Sequence, residues 1–315
     1  MASSKAVVFA GQGAQTVGMG RDLAEAHPEC RELFTRADDA LGYGLSKICF
    51  EGPVEELTKS NHCQPGIFVA SMACFHAVVR AVPGATFAAT AGLSLGEWTA
   101  LHMAGSMTFE DTIRALEARG RFMQEACEAT QGGMVSILGL APALCQKVAE
   151  DAGVDVANLN SSEQTVLSGP REGIARAEEL AKEAGAKKTV VLKVAGAFHS
   201  RLMQPAAERL AETLAGITMR APRITVVSNV TGVPHGDPDQ MRRDLVRQVT
   251  GSVRWVQSVE WLAAHGIGGY VECGPGKVLS GLIKRIQPEA RLTNVQDVGS
   301  MEKTVAALKT AEWEG

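Results

Sequence analysis

The apolar and polar positions along the chain alternate between short apolar runs and longer segments with helical spacing. Residues 6–10 form an apolar run that predicts a buried strand, and small apolar residues at 85–91 predict another. Good helix formers follow at 97–103. Residues 109–126 place apolar side chains on one broad arc of a helix and charged side chains on the other. Strands separated by helices in this way are typical of an α/β fold with a mostly parallel sheet.

A different order of elements occupies the middle of the chain. The predicted elements there are strand 134–138, helix 142–152, strand 154–159, strand 164–168, helix 172–184 and strand 188–194. The order β-α-β-β-α-β is that of ferredoxin-like units. We therefore predict a small ferredoxin-like subdomain at 131–196, inserted into a large α/β subdomain formed by 1–130 and 197–315.

The alternation of strands and helices resumes after this predicted insert. The predicted elements are strand 224–229, helices 239–249 and 256–264, strand 269–273, helix 278–286, a strand near 293–298 and a closing helix at 301–313. Residues 21–80 read as several helices, one of which is opened by Gln64 and Pro65. These helices would cover the sheet of the large subdomain.

Composition narrows the class of protein further. Of 315 residues, 45% are hydrophobic, 21% are charged and 33 are glycine, which suits a loop-rich α/β protein. The net charge of −4 gives no indication of a nucleic-acid surface. Seven cysteines without C-x-x-C spacing favour free thiols in a reducing compartment, and no metal site is predicted. No apolar run approaches the roughly 18 residues of a membrane span.

The strongest chemical signal is the sequence GLSLG at residues 92–96, which lies between a predicted strand and a predicted helix. In this context a G-x-S-x-G pattern forms a tight turn that lifts the serine hydroxyl clear of the sheet, at the positive end of the helix. We interpret Ser94 as a nucleophile. The alternative is an ordinary glycine-bounded turn whose serine caps the helix.

A glycine-rich loop, GQGAQTVGMG, follows the first predicted strand at residues 11–20. Two details of the loop sequence argue against nucleotide binding. The dinucleotide pattern lacks its third glycine at position 16, and Met19 stands where a phosphate-binding loop needs lysine. The loop could instead direct a backbone N–H at a developing negative charge near Ser94, or it could be a simple tight turn.

A serine nucleophile needs a base, and the histidines can be ranked by their positions. His102 lies about 12 Å along the helix axis from Ser94, which is too far for a hydrogen bond. His235, in a turn rich in Pro, Gly and Asp, and His265, at a helix end, have ordinary surface settings. His199 follows a strand end among small residues, where loops deliver catalytic groups. It is the best candidate, with a buried or capping histidine as the alternative.

Arg119 falls in the middle of the apolar arc of helix 109–126. A guanidinium does not lose its proton and is costly to desolvate, so a buried arginine needs an anion from the protein or from a ligand. A structural ion pair or a side chain that reaches solvent is the other interpretation.

Taken together, these motifs resemble those of the malonyl-CoA:acyl carrier protein transacylase family over nearly the whole chain. The segments that carry the resemblance are GQGAQ at 11–15, GLSLGE at 92–97, RGRFMQ at 119–124, Asn160 with Gln164, GAFHS at 196–200 and GPGKVL at 274–279. The resemblance implies a hydrolase-like α/β core with a ferredoxin-like insert. The same division follows from the pattern of elements.

The resemblance also implies roles for individual residues. Ser94 would be the acylated nucleophile, His199 its general base, and Arg119 the group that binds the malonyl carboxylate. The backbone N–H groups of Gln12 and Leu95 would form the oxyanion hole.

Further positions match the family with less local support. The main-chain carbonyl of Gln248 would hold the histidine, and Phe198, Gln64 and Asn160 would contact the substrate. Phe198 resembles the malonyl-type rather than the methylmalonyl-type sequence. Leu93 stands where the family often has histidine, a variant that resembles plastid-type members. The compartment is therefore expected to be the bacterial cytoplasm, or the plastid stroma if a transit peptide was removed.

The resemblance implies malonyl-CoA and an acyl carrier protein as partners, a monomer, and no cofactor, nucleic acid or membrane. Acyl carrier proteins are acidic, so basic residues near the site segments are docking candidates: Lys188, Lys193, Arg201, Lys277, Lys284 and Arg285. Two alternatives stay open. One is a serine esterase or thioesterase of related fold, although no acidic residue stands out as a third triad member. The other is a non-catalytic carrier-docking module.

Overall fold

The computed structural model describes residues 4–310 and Trp313. The strands are β1 Ser4–Phe9, β2 Ala89–Gly92, β3 Gly132–Leu138, β4 Asp155–Ser161, β5 Gln164–Pro170, β6 Lys188–Val191, β7 Thr225–Val226, β8 Ile267–Cys273 and β9 Arg291–Val295. The α-helices are α1 Arg21–Ala26, α2 Pro28–Leu41, α3 Leu45–Glu51, α4 Val54–Thr58, α5 Ser60–Ala81, α6 Leu95–Met103, α7 Phe109–Ala129, α8 Pro142–Ala152, α9 Arg171–Glu183, α10 Gln204–Ala215, α11 Pro238–Thr250, α12 Trp255–Ala264, α13 Val278–Ile286 and α14 Val298–Leu308.

The larger sheet has five parallel strands in the order β7-β2-β1-β8-β9. β1 lies at its centre. Val7 and Phe9 pack on one face of the sheet and Ala6 and Val8 on the other, in two separate apolar clusters. Because helices cover both faces, the strand reads as a continuous apolar run. The predicted α/β fold with a mostly parallel sheet is confirmed.

The smaller sheet is antiparallel, with the strand order β4-β5-β3-β6. Helices α8 and α9 cover one face, where Val135 and Leu167 pack against them. Met134 and Val166 lie on the opposite face and join the main core. This order of strands and helices is the ferredoxin-like arrangement expected from the sequence. The boundaries predicted for the two subdomains stay a prediction.

Backbone hydrogen bonds join the antiparallel sheet to a loop of the large unit. The Leu159 N–H of β4 donates to the Val253 carbonyl at 2.9 Å, and the Val253 N–H donates to the Ala157 carbonyl at 2.8 Å. The antiparallel sheet is therefore fixed against the loop between α11 and α12, next to the end of α11.

Several elements differ from their predicted bounds, and the closing helix predicted at 301–313 spans Val298–Leu308, with part of the predicted range outside the described residues. Two of the differences have identifiable reasons. The strand predicted at 224–229 pairs in the sheet only at Thr225–Val226, because the chain then turns and brings Asn229 to the end of β2. Helix α5 begins at Ser60, before the predicted start at Gln64, and contains Pro65. Proline has no N–H for the Asn61 carbonyl, which the Tyr43 hydroxyl approaches at 3.5 Å instead.

Helix α5 also corrects the expectation that no segment matches a membrane span. Among the described residues, this 22-residue helix is long and apolar enough by composition, because its charged residues are confined to Arg80. In the structure, 78% of its most apolar window is buried inside the protein. It packs so closely on α7 that a Cβ on Gly120 would lie 2.2 Å from the Ser60 carbonyl oxygen. Here α5 is a central helix of the core.

Candidate active site

Ser94 lies at a sharp turn between β2 and α6. Its φ of 56° is in the left-handed region, which is costly for a residue other than glycine. The flanking glycines are required by close backbone contacts. A Cβ on Gly92 would lie 2.0 Å from the Gly96 backbone, and a Cβ on Gly96 would lie 2.2 Å from the Phe9 carbonyl oxygen. The turn predicted from GLSLG therefore has the geometry of a nucleophile elbow.

His199, which lies 105 residues further along the chain, contacts the Ser94 hydroxyl. Its Nε2 lies 2.8 Å from Ser94 Oγ, and its Nδ1 lies 2.7 Å from the main-chain carbonyl oxygen of Gln248. A carbonyl only accepts, so Nδ1 carries the proton and Nε2 offers its lone pair to the serine hydroxyl. Burial, and then the nearby charge of Arg119, lower the His199 pKa to about 4. The imidazole is therefore neutral at pH 7 and can accept the serine proton.

Arg119 is 1% exposed and lies directly beside the nucleophile. Its guanidinium donates to Gln64 Oε1 at 2.7 Å, to Ser94 Oγ at 3.0 Å and to Gln248 Oε1 at 3.0 Å. All three acceptors are neutral, and the Nε–H has no partner among the described residues. Burial lowers the Arg119 pKa to about 10, so the group stays protonated at pH 7. The site thus contains a buried cation that no carboxylate of the described chain contacts.

Gln64 holds Arg119 from behind and does not line the cavity. It is completely buried, and its Nε2 donates to Gln12 Oε1 at 3.2 Å. Gln12 Nε2 in turn donates to Ser60 Oγ at 3.1 Å. This chain of side chains connects the glycine loop after β1 to the guanidinium through α5. The structure places Gln64 against Arg119, which likewise is not among the residues that line the cavity, and a substrate contact by Gln64 stays a prediction.

The two predicted oxyanion donors lie on either side of the elbow. Gln12 lines the cavity beside Ser94, and Leu95 is the first residue of α6. Within the described chain, neither backbone N–H donates to a protein acceptor. The Ser94 N–H is not free, because it donates to Asn229 Oδ1 at 2.7 Å. The N–H groups of Gln12 and Leu95 are thus free within the described chain, and their role as oxyanion donors stays a prediction.

Asn229 is a site residue that the sequence analysis missed. Besides accepting from Ser94, its Nδ2 donates to the Gly92 carbonyl at 2.8 Å, so one side chain fixes the backbone on both sides of the elbow. Its only signal in the sequence is its position after β7, at the carboxyl end of a strand, where sites of α/β sheets form.

A cavity of about 280 Å³ opens between the two sheets at Ser94 and His199. Its lining from the large unit includes Gln12, Leu93, Met123, Phe198, Val278 and Leu282, and its lining from the antiparallel sheet includes Met134, Asn158, Asn160 and Val166. Residues 192–195 lie beside it, beyond the end of β6. The predicted contact residues Phe198 and Asn160 therefore do face this space. Asn160 Oδ1 is buried there without a hydrogen-bond partner.

The other histidines lie away from the nucleophile. His102 bonds the Met107 carbonyl at 3.1 Å, and His265 is stacked on Trp261 at a helix end, as expected. The interpretation of His235 as a surface residue was wrong. Its side chain is completely buried, and its Nε2 lies 2.6 Å from Glu97 Oε1. The turn is polar in sequence, but it folds over the elbow and covers this pair.

All seven cysteines are buried free thiols. In the part of the chain that the structure describes, residues 4–310 and Trp313, no group of three or more His, Cys, Asp or Glu side chains is placed to hold a metal ion.

The fold and the serine–histidine pair define an enzyme class that forms acyl esters on a serine at an elbow. Comparison with known proteins identifies the family. The acyl transferase domain family matches residues 6–313. The malonyl CoA-acyl carrier protein transacylase of Bacillus subtilis is 41% identical over 312 residues, covering 98% of each chain. The Escherichia coli K12 protein of the same name is 45% identical over 285 residues, covering 89% of this chain and 92% of its own.

A solved structure extends this similarity to three dimensions. It contains a type II polyketide acyl carrier protein in complex with its malonyl-transacylase. The match has a TM-score of 0.93 and 38% identity, and covers 97% of this chain and 100% of that one. The chain belongs to the acyl transferase domain family, as the sequence motifs predicted.

Proposed function

We propose that this protein transfers a malonyl group from malonyl-CoA to the phosphopantetheine thiol of an acyl carrier protein, for fatty-acid or polyketide synthesis. The observation that carries the proposal is the buried, uncompensated Arg119 guanidinium, which donates to the hydroxyl of a serine already paired with a neutral histidine. The similarity to malonyl CoA-acyl carrier protein transacylases supports the same substrate and acceptor.

In the first half-reaction, Ser94 Oγ attacks the thioester carbonyl while its proton passes to His199 Nε2. The carbonyl oxygen becomes an oxyanion, which the N–H groups of Gln12 and Leu95 stabilise. Collapse of this intermediate breaks the carbon–sulfur bond. The imidazolium then returns its proton to the departing thiolate, leaving malonyl-Ser94 and free coenzyme A.

In the second half-reaction the carrier thiol takes the place of coenzyme A. Its proton passes to His199 Nε2, its sulfur attacks the ester carbonyl, and Ser94 leaves as its hydroxyl with that proton. A thioester is consumed and a thioester is formed, so neither step changes an oxidation state. In this proposal the serine, the histidine and two backbone donors supply the chemistry without a metal or a redox cofactor.

Arg119 accounts for selectivity in this scheme. A guanidinium and a carboxylate form paired, charge-assisted hydrogen bonds, which are strongest where water is excluded. Malonyl supplies the carboxylate, whereas acetyl would leave the buried cation without its anion. Phe198 beside the histidine limits the space for a branched acyl group, but one methyl is worth only about 1–3 kcal/mol.

The second candidate is a serine esterase or thioesterase. Such an enzyme usually has an acidic residue bonded to the histidine, but here the Gln248 carbonyl takes that place. The two functions differ in the fate of the acyl-enzyme. A hydrolase loses its acyl group to water, whereas a transferase keeps it until a thiol arrives.

The carrier would dock at the mouth of the cavity. Lys193 lines the cavity, and Lys277 directly precedes Val278, which also lines it. Arg201 is a weaker candidate because it pairs with Asp155. An acidic carrier is attracted by such local positive charge even though the net charge is −4.

The bacterial relatives and the buried free thiols support a bacterial cytoplasmic location.

Intact mass spectrometry without an acceptor tests the proposal directly. The protein is mixed separately with malonyl-CoA and acetyl-CoA, with Ser94→Ala as the control for the nucleophile and Arg119→Ala as the control for selectivity. We expect a malonyl-sized adduct that is absent in Ser94→Ala, and a weak acetyl adduct that becomes relatively stronger in Arg119→Ala.

Other outcomes point elsewhere. Equal labelling by both thioesters would keep the nucleophile but remove Arg119 as the selector. Steady release of free malonate without a stable adduct would identify a hydrolase. Failure of every acyl-CoA to label the protein would favour a non-catalytic docking module.

A further inference from the structure

A completely buried Glu97–His235 pair lies behind the elbow and has no part in the mechanism above. Glu97 follows Ser94 by three residues on α6, and its backbone N–H donates to the Ser94 carbonyl at 3.1 Å. Its Oε1 lies 2.6 Å from His235 Nε2. A buried carboxylate needs several hydrogen bonds to compensate for lost hydration, so the partners of its second oxygen show what the group is arranged to do.

The second oxygen of Glu97 connects to the Arg119 guanidinium through the side-chain amide of Gln248. Oε2 accepts from the Asn229 backbone N–H at 3.0 Å and from Gln248 Nε2 at 2.5 Å. The other end of that amide, Gln248 Oε1, accepts from Arg119 at 3.0 Å and from Trp98 Nε1 at 3.4 Å. The Gln248 side chain therefore separates the carboxylate from the guanidinium and contacts both.

The Glu97 carboxylate and the Ser94 carbonyl together determine which way this amide faces, because Gln248 Nε2 donates to both, at 2.5 Å and 3.1 Å. The two ends of an amide have nearly the same shape, but only the NH₂ end donates. A carboxylate only accepts, so it requires Nε2 on its own side and leaves the carbonyl oxygen facing Arg119. If the amide turned over, two sets of N–H donors would meet at the guanidinium and push it away from its present position.

We infer that Glu97, held by His235, is a positioning residue that orients the Gln248 amide and thereby places the Arg119 guanidinium for the carboxylate of the substrate. The inference rests on the proposed function for the identity of that carboxylate. Direct contact between Glu97 and Arg119 would neutralise the cation and compete with the substrate. The intervening amide avoids this, while the field of Glu97 still raises the Arg119 pKa and opposes the effect of burial.

His235 completes the arrangement by fixing the carboxylate itself. It is the side-chain partner of Oε1, and its backbone N–H donates to the Val226 carbonyl at 2.9 Å, which anchors the turn to β7. Without this donor, Oε1 would lack its partner and the carboxylate could rotate away from Gln248. A glutamine at 235 keeps a donor of similar reach, which makes it a matched control for alanine.

The test measures discrimination between two substrates. Acylation by malonyl-CoA and by acetyl-CoA is followed for Glu97→Gln, His235→Ala and His235→Gln, with the exposed Glu302→Gln as a surface control. We expect Glu97→Gln and His235→Ala to lose about tenfold or more in kcat/KM for malonyl-CoA, mainly through KM, with a smaller change for acetyl-CoA. His235→Gln should keep most of the wild-type ratio.

A purely structural role would give a different result. If Glu97 only supported the elbow, both acyl-CoA rates would fall together and the malonyl-to-acetyl ratio would not change, which would overturn the inference. A crystal structure of Glu97→Gln gives a second readout that does not depend on turnover. We expect loss of the contact between Arg119 and Gln248 Oε1, and an unmoved guanidinium would contradict us.

The wild-type protein, assayed in parallel, separates this inference from the proposed function. If the wild type formed no malonyl adduct, the proposed function would fail, while the position of Arg119 in the Glu97→Gln crystal would still decide the structural inference. If Glu97→Gln proved too unstable to study, the contrast between His235→Ala and His235→Gln would decide it instead.

Discussion

Arg119 and His199 are buried together but differ in charge at pH 7, because the guanidinium is a cation and the imidazole is neutral. The guanidinium keeps its proton at pH 7 even though burial lowers its pKa. The imidazole beside it loses its proton because burial and the Arg119 charge both disfavour a second cation. One residue can thus bind an anion while its neighbour acts as a base.

The pH dependence of acylation should report this neutral histidine. With a His199 pKa of about 4, we expect the acylation rate to be nearly constant from neutral pH downward and to fall only as the pH approaches 4. Arg119→Met should move this fall to higher pH, because the repelling charge is gone. Rapid-quench measurement of acyl-enzyme formation with acetyl-CoA avoids titration of the substrate carboxylate. An inflection near the ordinary histidine pKa in the wild type would contradict the assignment.

The same pKa shift should make folding stability depend on pH. Below the ordinary histidine pKa of about 6.5, His199 becomes protonated in the unfolded chain, whereas in the folded protein it becomes protonated only at about pH 4. The stability contributed by this group is therefore complete above pH 6.5 and is lost as the pH falls toward 4. The free energy of unfolding, measured with denaturant at pH 7 and at pH 5, should decrease on acidification by about 2 kcal/mol more in the wild type than in His199→Gln. Equal losses would refute the shift.

Asn229 should matter as much as a catalytic group, although it does not touch the substrate. We expect Asn229→Ala to cost about 2–3 kcal/mol of unfolding free energy, because it leaves the Ser94 N–H and the Gly92 carbonyl unpaired in the interior. Acylation should fall as the serine loses its fixed position. Asn229→Asp keeps the acceptor for the Ser94 N–H but loses the donor to the Gly92 carbonyl. A milder acylation defect in Asn229→Asp than in Asn229→Ala would support separate contributions from these two hydrogen bonds. Equal defects in both variants would contradict this.

At the scale of elements, the site depends on how closely α6 approaches β1. The Phe9 carbonyl at the end of the strand leaves no room for a side chain at Gly96, and both atoms belong to backbone that cannot rotate away. The helix can therefore start directly after the serine only if glycine stands there. The elbow is a property of two packed elements and not of the five-residue motif alone.

Gly96→Ala tests whether the elbow requires glycine for steric reasons, as opposed to the ordinary effect of Gly→Ala on helix propensity. We expect about 3 kcal/mol or more of destabilisation and little acyl-enzyme, because the Cβ would meet the Phe9 and Ala10 carbonyl oxygens. Gly281→Ala in α13 is the matched control, since a Cβ there meets no atom within 4 Å. It should be neutral or stabilise the protein by up to about 1 kcal/mol. Chemical denaturation of both variants tests this, and a stable, active Gly96→Ala would rule out the steric argument.

At the scale of the whole molecule, the cavity exists because two sheets meet. The parallel sheet contributes the nucleophile, and the antiparallel sheet contributes Asn158 and Asn160 from one face of β4. The helices α8 and α9 cover the opposite face of that sheet, far from the opening. We therefore expect a carrier that delivers its thiol to Ser94 to approach on the side of Lys193 and Lys277.

Charge reversal should locate this docking side. We expect Lys193→Glu combined with Lys277→Glu to raise KM for the carrier about tenfold at low salt, with a smaller effect at high salt, because rim charges act mainly on association. Lys147→Glu, on the exposed side of α8, is the control for net charge. Steady-state assays at several carrier and salt concentrations provide the comparison. An equal rise in KM for Lys147→Glu would show that net charge alone is responsible.

The sequence by itself determined the order of the elements and indicated Ser94, His199 and Arg119, which the structure brings together. Apolar runs with strand or helix spacing identified both sheets, because burial of one face imposes a period that is visible in the chain. Ser94 could be recognised from the sequence because a G-x-S-x-G turn between a strand and a helix consists of residues that are neighbours in the chain. Arg119 was readable because a permanent cation on an apolar helical face conflicts with its surroundings.

Only the tertiary structure decided which residues surround these groups. Glu97 lies on α6, whereas Asn229 and His235 lie in the loop after β7, and none of them stands out in the sequence, because their roles consist of hydrogen bonds between these two distant segments. The turn that contains His235 has a sequence typical of a surface loop, but in the structure it folds over α6. Only the structure shows that the Gln64 side chain accepts a hydrogen bond from Arg119. Local patterns encode which elements form, and long-range packing determines which polar groups are buried together.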